Sequence, residues 1–343
     1  MFLTRLKVWA KHGRMCGPGF LRGGASTLPD SLMTSEAPIP HVPSASPPLR
    51  NTGLHGAFWT RCLLKLLRVM PMRLALILVW PVTTIIYILA RPQRQAILSN
   101  LTALKPELGP VQRWWAGCLV FVNFALTYLD RLWCMYFKKE VSWEVSHMER
   151  FEQLRAHPGG VIVFTIHSGN YDIGATLFAQ KFGRRLHTVR APEQTEQLQK
   201  LREQELRRTE QQSPLLHVHY NYGDNHLGLE LCRVLMDGDA VAVQGDRVLS
   251  AVSPVAMSCE GRTYQIPRGP LVLAEISKAP CYPIILERIG CLRYRIHVGE
   301  CFSDGTSRLR ADDIGKRWLP ILHRHLQNHW DQWFVFEPLV TLE

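Results

Sequence analysis

From Phe151 onward, short apolar runs rich in β-branched residues alternate with segments of helical periodicity, and this limits what the chain can fold into. "GVIVFTI" leads into "YDIGATLFAQKF", then "RLHTVR" and the charged stretch "EQTEQLQKLREQELRR". "LLHVHY", "HLGLELCRVLMDG" and "AVAVQGD" continue the pattern. A short strand "CEGRTYQI" precedes the helix "PLVLAEISKA", and "CYPIILERI" and "LRYRIHV" read as a strand pair turning at Gly290-Cys291. A long helix from Asp312 to about Phe336 is expected to close the chain. Strands alternating with helices predict an α/β fold, a mostly parallel sheet flanked by helices on both faces. Ligands of such sheets bind beyond the carboxyl ends of the strands.

The chain upstream has a different character. Residues 1–50 hold five Lys/Arg and no acid before Asp30, then the linker "PIPHVPSASPPLR". They read as a disordered extension that packs no core, with Met33 as an alternative start. Residues 51–145 read as a hydrophobic, membrane-associated helical region, and residues 146–343 as the α/β domain. "LLKLLRVM" sets Arg61, Lys65 and Arg68 among leucines or beside them, as on a basic amphipathic helix. Residues 74–90 then carry no charge between Arg73 and Arg91. That length is near the lower limit for a span, and Pro81 is expected to kink the helix. A single span or re-entrant helix, a helix lying in the interface, and a buried helical hairpin all fit. A further apolar helix, "WWAGCLVFVNFALTYLDRLW", follows.

The net charge is +11. A basic surface suits an anionic lipid, an acidic carrier or nucleic acid. There is no zinc-finger spacing, RNA-binding sheet signature or dense basic tail, so nucleic acid is not expected as a partner. Nine cysteines without a C-x-x-C pair argue for reduced thiols in a cytosol-facing protein.

Three histidines show the interval H-x4-[D/E]: His167 with Asp172, His219 with Asp224, and His147 with Glu152. Five residues along one continuous helix turn about 500°, so the paired side chains would diverge by about 140°. They meet only where the histidine precedes the helix and the chain turns between them. Ser168, Gly169 and Asn170 supply such a turn after a wholly apolar strand, with Asn170 as a helix N-cap and a candidate for binding substrate. This context favours His167, as a general base oriented by Asp172. His219, which also runs from strand towards helix, is the rival. Asp172 at a helix start also has a purely structural reading, stabilisation by the helix dipole.

Other candidates fall on the same sheet rim. "VAVQGDRVLS" delivers Asp246 and Arg247 after another buried strand, to orient an acceptor or grip a phosphate. In "YQIPRGPLVLAEI", Arg268 and Gly269 open an apolar helix whose amides suit a phosphate or an oxyanion. Arg190, in "HTVRAPEQ", is a candidate for an acidic substrate. The terminal "HLQNHWDQWFVFEPL" reads as packing. His323, His325 and His329 there lack a coherent carboxylate set, so no metal and no other cofactor is assigned.

In their order and separations these segments resemble the lysophospholipid acyltransferase superfamily, and within it the late acyltransferases of lipid A biosynthesis. The likeness covers about Phe58 to Phe336: the greasy basic helices, "HSGNYD", "VRAP", "QGDR", "PRGP", Pro283 and "DQWF". Asp172 stands where the lauroyl transferases of that branch usually carry glutamate. The resemblance implies a glycerol-3-phosphate acyltransferase-like fold. It implies transfer of a fatty acyl chain from acyl carrier protein or coenzyme A to a hydroxyl of a lipid acceptor, a lipid A precursor or related glycolipid. His167 matches the family's base and Asp172 its orienting carboxylate, with no covalent enzyme intermediate. The implied location is the cytoplasmic face of the inner membrane. The alternatives are a non-catalytic lipid-binding homologue, and a hydrolase using the same pair to activate water.

Overall fold

The computed structural model describes residues 57–192, 199, 203, 213–223, 226–248 and 253–343. The expected extension at residues 1–50, most of the charged helix expected over 193–208, and Asp224 lie outside them. Four helices come first: α1 (Ala57–Val69), α2 (Met72–Leu89), α3 (Arg91–Leu104) and α4 (Pro110–Phe137). Prolines in the first turns of α3 and α4 suit positions whose N–H groups have no helical partner. Helix α2 runs on through Pro81.

Helix α2 buries one stripe, Ala75, Val79, Thr83 and Tyr87, each four residues after the last. Tyr87 caps the stripe by donating to the Trp114 carbonyl of α4 at 2.9 Å. Its other side leaves Ile77, Trp80, Val82, Ile85 and Ile88 exposed. By length and composition both α2 and α4 could cross a membrane. Helix α4 is different in setting, because Asp130 on it is fully buried and tied to the sheet. Asp130 accepts from Arg288 Nε at 2.7 Å, Tyr294 Oη at 2.8 Å and the Leu292 amide at 3.2 Å.

The α/β part follows as β1 (Ser142–Ser146), α5 (Met148–Ala156), β2 (Val161–Thr165), α6 (Tyr171–Phe182), β3 (Leu186–Arg190) and β4 (Leu216–Tyr220). Then come α7 (His226–Met236), β5 (Ala240–Gln244), β6 (Pro254–Cys259), β7 (Arg262–Pro267), α8 (Arg268–Ser277), β8 (Cys281–Gly290) and β9 (Arg293–Val298). Helix α9 (Ala311–His329), a 3-10 turn (Trp330–Gln332) and β10 (Val340–Leu342) end the chain. Seven strands form one sheet in the order β1-β9-β8-β2-β5-β3-β4. Strand β2 is central, and Val161 to Phe164 are buried on both faces, which its unbroken apolar run requires. Strands β8, β2, β5, β3 and β4 are mutually parallel, whereas β9 runs antiparallel to β8. Strand β1 pairs in parallel with β9. A second sheet, β10-β7-β6, is antiparallel.

The mostly parallel α/β sheet expected from the sequence is therefore present, as is the β8–β9 pair. Strands β1, β6 and β10 were not expected. The terminal helix stops at His329, short of Phe336. Beyond the 3-10 turn the chain is extended, so that it lies against the sheet edge: the Phe334 amide donates to the His167 carbonyl at 2.8 Å.

Candidate active site

Strands β2 and β5 are paired so that Thr165 lies opposite Gln244. Two residues past each of these positions come His167 and Asp246, at the carboxyl edge of the sheet centre. His167 Nδ1 is 2.9 Å from Asp246 Oδ1, and the His167 amide donates to Asp246 Oδ2, also at 2.9 Å. Trp333 Nε1 gives Asp246 Oδ2 a further donor at 2.8 Å. His167 and Asp246 are 6 % and 1 % exposed. Burial opposes the charged form of Asp246, but the imidazole and these donors outweigh it and hold the carboxyl below its ordinary range. Gly245 lets this happen: a Cβ there would stand 2.8 Å from Trp318 Nε1, which donates to the Gly245 carbonyl.

The turn after His167 is set by close backbone approach. Gly169 has φ +55°, and a Cβ on it would lie 2.7 Å from the Leu286 carbonyl oxygen of β8. Ser168 Oγ donates to that same carbonyl at 3.1 Å. Asn170 caps α6 by accepting from the Ile173 amide, and its Nδ2 donates to the Thr127 carbonyl of α4 at 3.1 Å. Asp172 follows within the first turn, and it does not take the imidazole. Arg190 Nη2 lies 2.6 Å from its Oδ1 and Arg131 Nη1 3.2 Å from its Oδ2. Burial raises the Asp172 carboxyl, but Arg190 and Arg131 outweigh it and leave it below the ordinary range. The hydrogen bond expected between His167 and Asp172 thus runs to Asp246. The physical reason is strand pairing, which puts Asp246 beside Nδ1 while α6 carries Asp172 towards Arg190 at the end of β3.

Compared with known proteins, residues 43–339 match the family of bacterial lipid A biosynthesis acyltransferases. The chain belongs to that family. It is an acyltransferase for lipid A-type substrates, which entails an acyl donor and a lipid acceptor. No curated protein sequence matches it.

In this lipid A-type acyltransferase the remaining candidates separate. Asn170, Arg190 and Asp246 gather with His167 and Asp172. Arg247 pairs with Glu337, and its charge still acts on Tyr171 beside the site. Arg268 and Gly269 head α8 and are exposed. None of the hydrogen bonds around His167 reaches them. The rival His219 sits on the outermost strand β4, with His187 Nδ1 at 2.8 Å from its Nε2 and Glu230 at 3.2 Å from its Nδ1. His147 is the exposed N-cap of α5, beside Glu149 in the first turn of that helix. Sequence reading missed Trp333 and Arg131, because both arrive from elements distant along the chain. The aromatic ending taken for packing supplies the Trp333 donor. Tyr171 lies edge-on to His167, with ring centroids 5.3 Å apart, and burial followed by the Asp172 charge pushes its phenol up to about 12.

Proposed function

We propose that this acyltransferase moves a fatty acyl chain from an acyl thioester, on acyl carrier protein or coenzyme A, to a hydroxyl of a lipid A precursor or related glycolipid. His167 is the general base. With Nδ1 committed to Asp246, Nε2 takes the acceptor hydroxyl's proton as its oxygen attacks the thioester carbonyl carbon. The tetrahedral intermediate collapses, the C–S bond breaks, and the thiolate leaves with the proton held on Nε2. Asp246 keeps the tautomer and stabilises the imidazolium in between. Ser168, whose hydroxyl is engaged by the Leu286 carbonyl, is not poised as a nucleophile, which supports direct transfer without an acyl-enzyme. Arg190 and Arg131, fixed on Asp172, hold positive charge beside the base and favour the phosphates of the acceptor. Arg268 and Gly269, exposed at the start of α8, are an anion-binding position for the donor.

The exposed apolar side of α2, following basic α1, supports attachment to the membrane at its cytoplasmic face, with the helix in the interface. Asp130 and Arg131 of α4, both bonded to the α/β part, support α4 as an inner helix of the protein.

The observation that carries the reading is the buried His167–Asp246 pair beyond the central strands of a lipid A-type acyltransferase. Its test is His167→Ala, assayed with acyl thioester and a lipid A precursor. Acyl transfer to lipid should vanish while vesicle binding is retained. Transfer at wild-type rate, or fatty acid released to water as the main product of the wild type, would sink it.

A further inference from the structure

His329 at the end of α9 finds a carboxylate in the sheet, where Glu287 of β8 stands beside His297 of β9. His297 Nε2 is 2.8 Å from Glu287 Oε2, and His329 Nδ1 is 3.5 Å from Glu287 Oε1. The three ligand atoms all lie within 4.8 Å of one another. Bonds of about 2.0–2.1 Å in a tetrahedron put ligand atoms roughly 3.3 Å apart, so small side-chain movements close the set around one ion.

The hydrogen bonding around His297 sharpens this. Ser146 Oγ donates to the Ile296 carbonyl at 3.2 Å, since a carbonyl can only accept. The same oxygen lies 3.3 Å from His297 Nδ1 and holds that side of the ring. Nε2 on the opposite side of the ring faces the Glu287 carboxylate, within ligand-to-ligand distance for a shared ion. A ring fixed through its other nitrogen is also how metal-bound histidines are held. His325 stacks on His329 with centroids 4.8 Å apart, and its enclosed Nε2 has no hydrogen-bond partner among the described residues. Arg295 Nη1 touches Glu287 Oε2 at 3.5 Å, but its Nε is committed to Glu144.

We propose that Glu287, His297 and His329 bind one first-row divalent cation of the zinc type, with water completing a tetrahedron. Two imidazoles and one carboxylate are a donor set that zinc favours. Any proton on a ligating nitrogen or carboxylate oxygen leaves to solvent as the ion binds. The site is separate from His167: side chains alternate along β8, so Leu286 meets the Gly169 turn while Glu287 faces α9. Its effect is mechanical. It clasps the β8–β9 pair to the end of α9, from which the chain passes to Trp333 and its bond to Asp246.

The test uses untagged full-length protein in detergent, stripped with chelator, then titrated with Co2+ by visible absorption and with Zn2+ by calorimetry. One equivalent should bind with the absorption of tetrahedral cobalt, and saturating Zn2+ should raise Tm by about 5 °C. Glu287→Gln and His329→Ala should each weaken binding at least about tenfold, with the metal-free Tm of Glu287→Gln within about 2 °C of wild type. Absence of uptake, or uptake unchanged in both variants, would overturn the site. So would uptake lost instead in His187→Ala and His219→Ala, the other histidine cluster.

Discussion

A histidine becomes a directed base only when one nitrogen is tied down, and here the tie comes from 79 positions away along the chain. Asp246→Asn should therefore lower kcat roughly 1,000-fold with little change in KM, by giving the imidazole the wrong tautomer. Asp172→Asn should do something different. It frees Arg190 and Arg131 from their shared carboxylate, so KM for the lipid acceptor should rise about tenfold while kcat falls by less. Steady-state kinetics of the two variants separate the roles, and a dead Asp172→Asn beside an active Asp246→Asn would return the orienting task to Asp172. Spacing picked His167 out among three intervals because a Ser-Gly turn after an apolar strand lets a base sit at a strand end. It could not pick Asp246, since no interval encodes which strands are neighbours. A signal was nonetheless present: "VIVFTIH" and "AVAVQGD" each carry a polar group three residues beyond a four-residue apolar run.

Elements place these residues through a few buried polar ties. Asp130 is the strongest of them, joining α4 to both strands of the β8–β9 pair. Asp130→Ala leaves the Arg288 guanidinium buried without its partner and should cost about 3–5 kcal/mol, measured as a large drop in Tm of the detergent-solubilised protein. Helix α2 obeys the opposite logic, since its outer apolar side chains stand exposed in the described structure. Ile77 and Ile85 are 67 % and 58 % exposed. Ile77→Glu with Ile85→Glu should leave Tm within about 2 °C of wild type and weaken sedimentation with anionic vesicles by at least about tenfold. Vesicle binding unchanged by that pair would mean that α2 is not the anchor. Strands and helices were legible wherever a run was long and apolar or clearly periodic, as in β2 and α6. Strand β1, "SWEVS", is short, half-exposed and stabilised by pairing with β9, so its own residues do not announce it. The end of α9 was overread because "WDQWF" keeps an apolar character that its extended backbone uses against the sheet edge and α4.

At the scale of the whole molecule, the site concentrates opposite charges inside a chain of net charge +11. Asp172 and Asp246 are both held below the ordinary carboxylate value of 3.8, despite burial that acts the other way. A depressed folded value means that the unfolded chain binds protons more readily than the folded one. The stabilisation is then present in full above about pH 4, and is lost as pH falls through the depressed folded values. Acid also increases the protein's net positive charge, and its self-repulsion destabilises every variant alike. Comparing wild type with Asp172→Asn cancels that common part. The wild type should melt several degrees higher at a constant margin from pH 8 to pH 5, reflecting two guanidinium groups that lose the Asp172 carboxylate in the variant. Below about pH 4 the margin should narrow towards zero, because the wild-type carboxyl then takes up a proton and resembles the amide. A margin that stayed constant down to pH 2 would mean that Asp172 does not stabilise the fold through its charge.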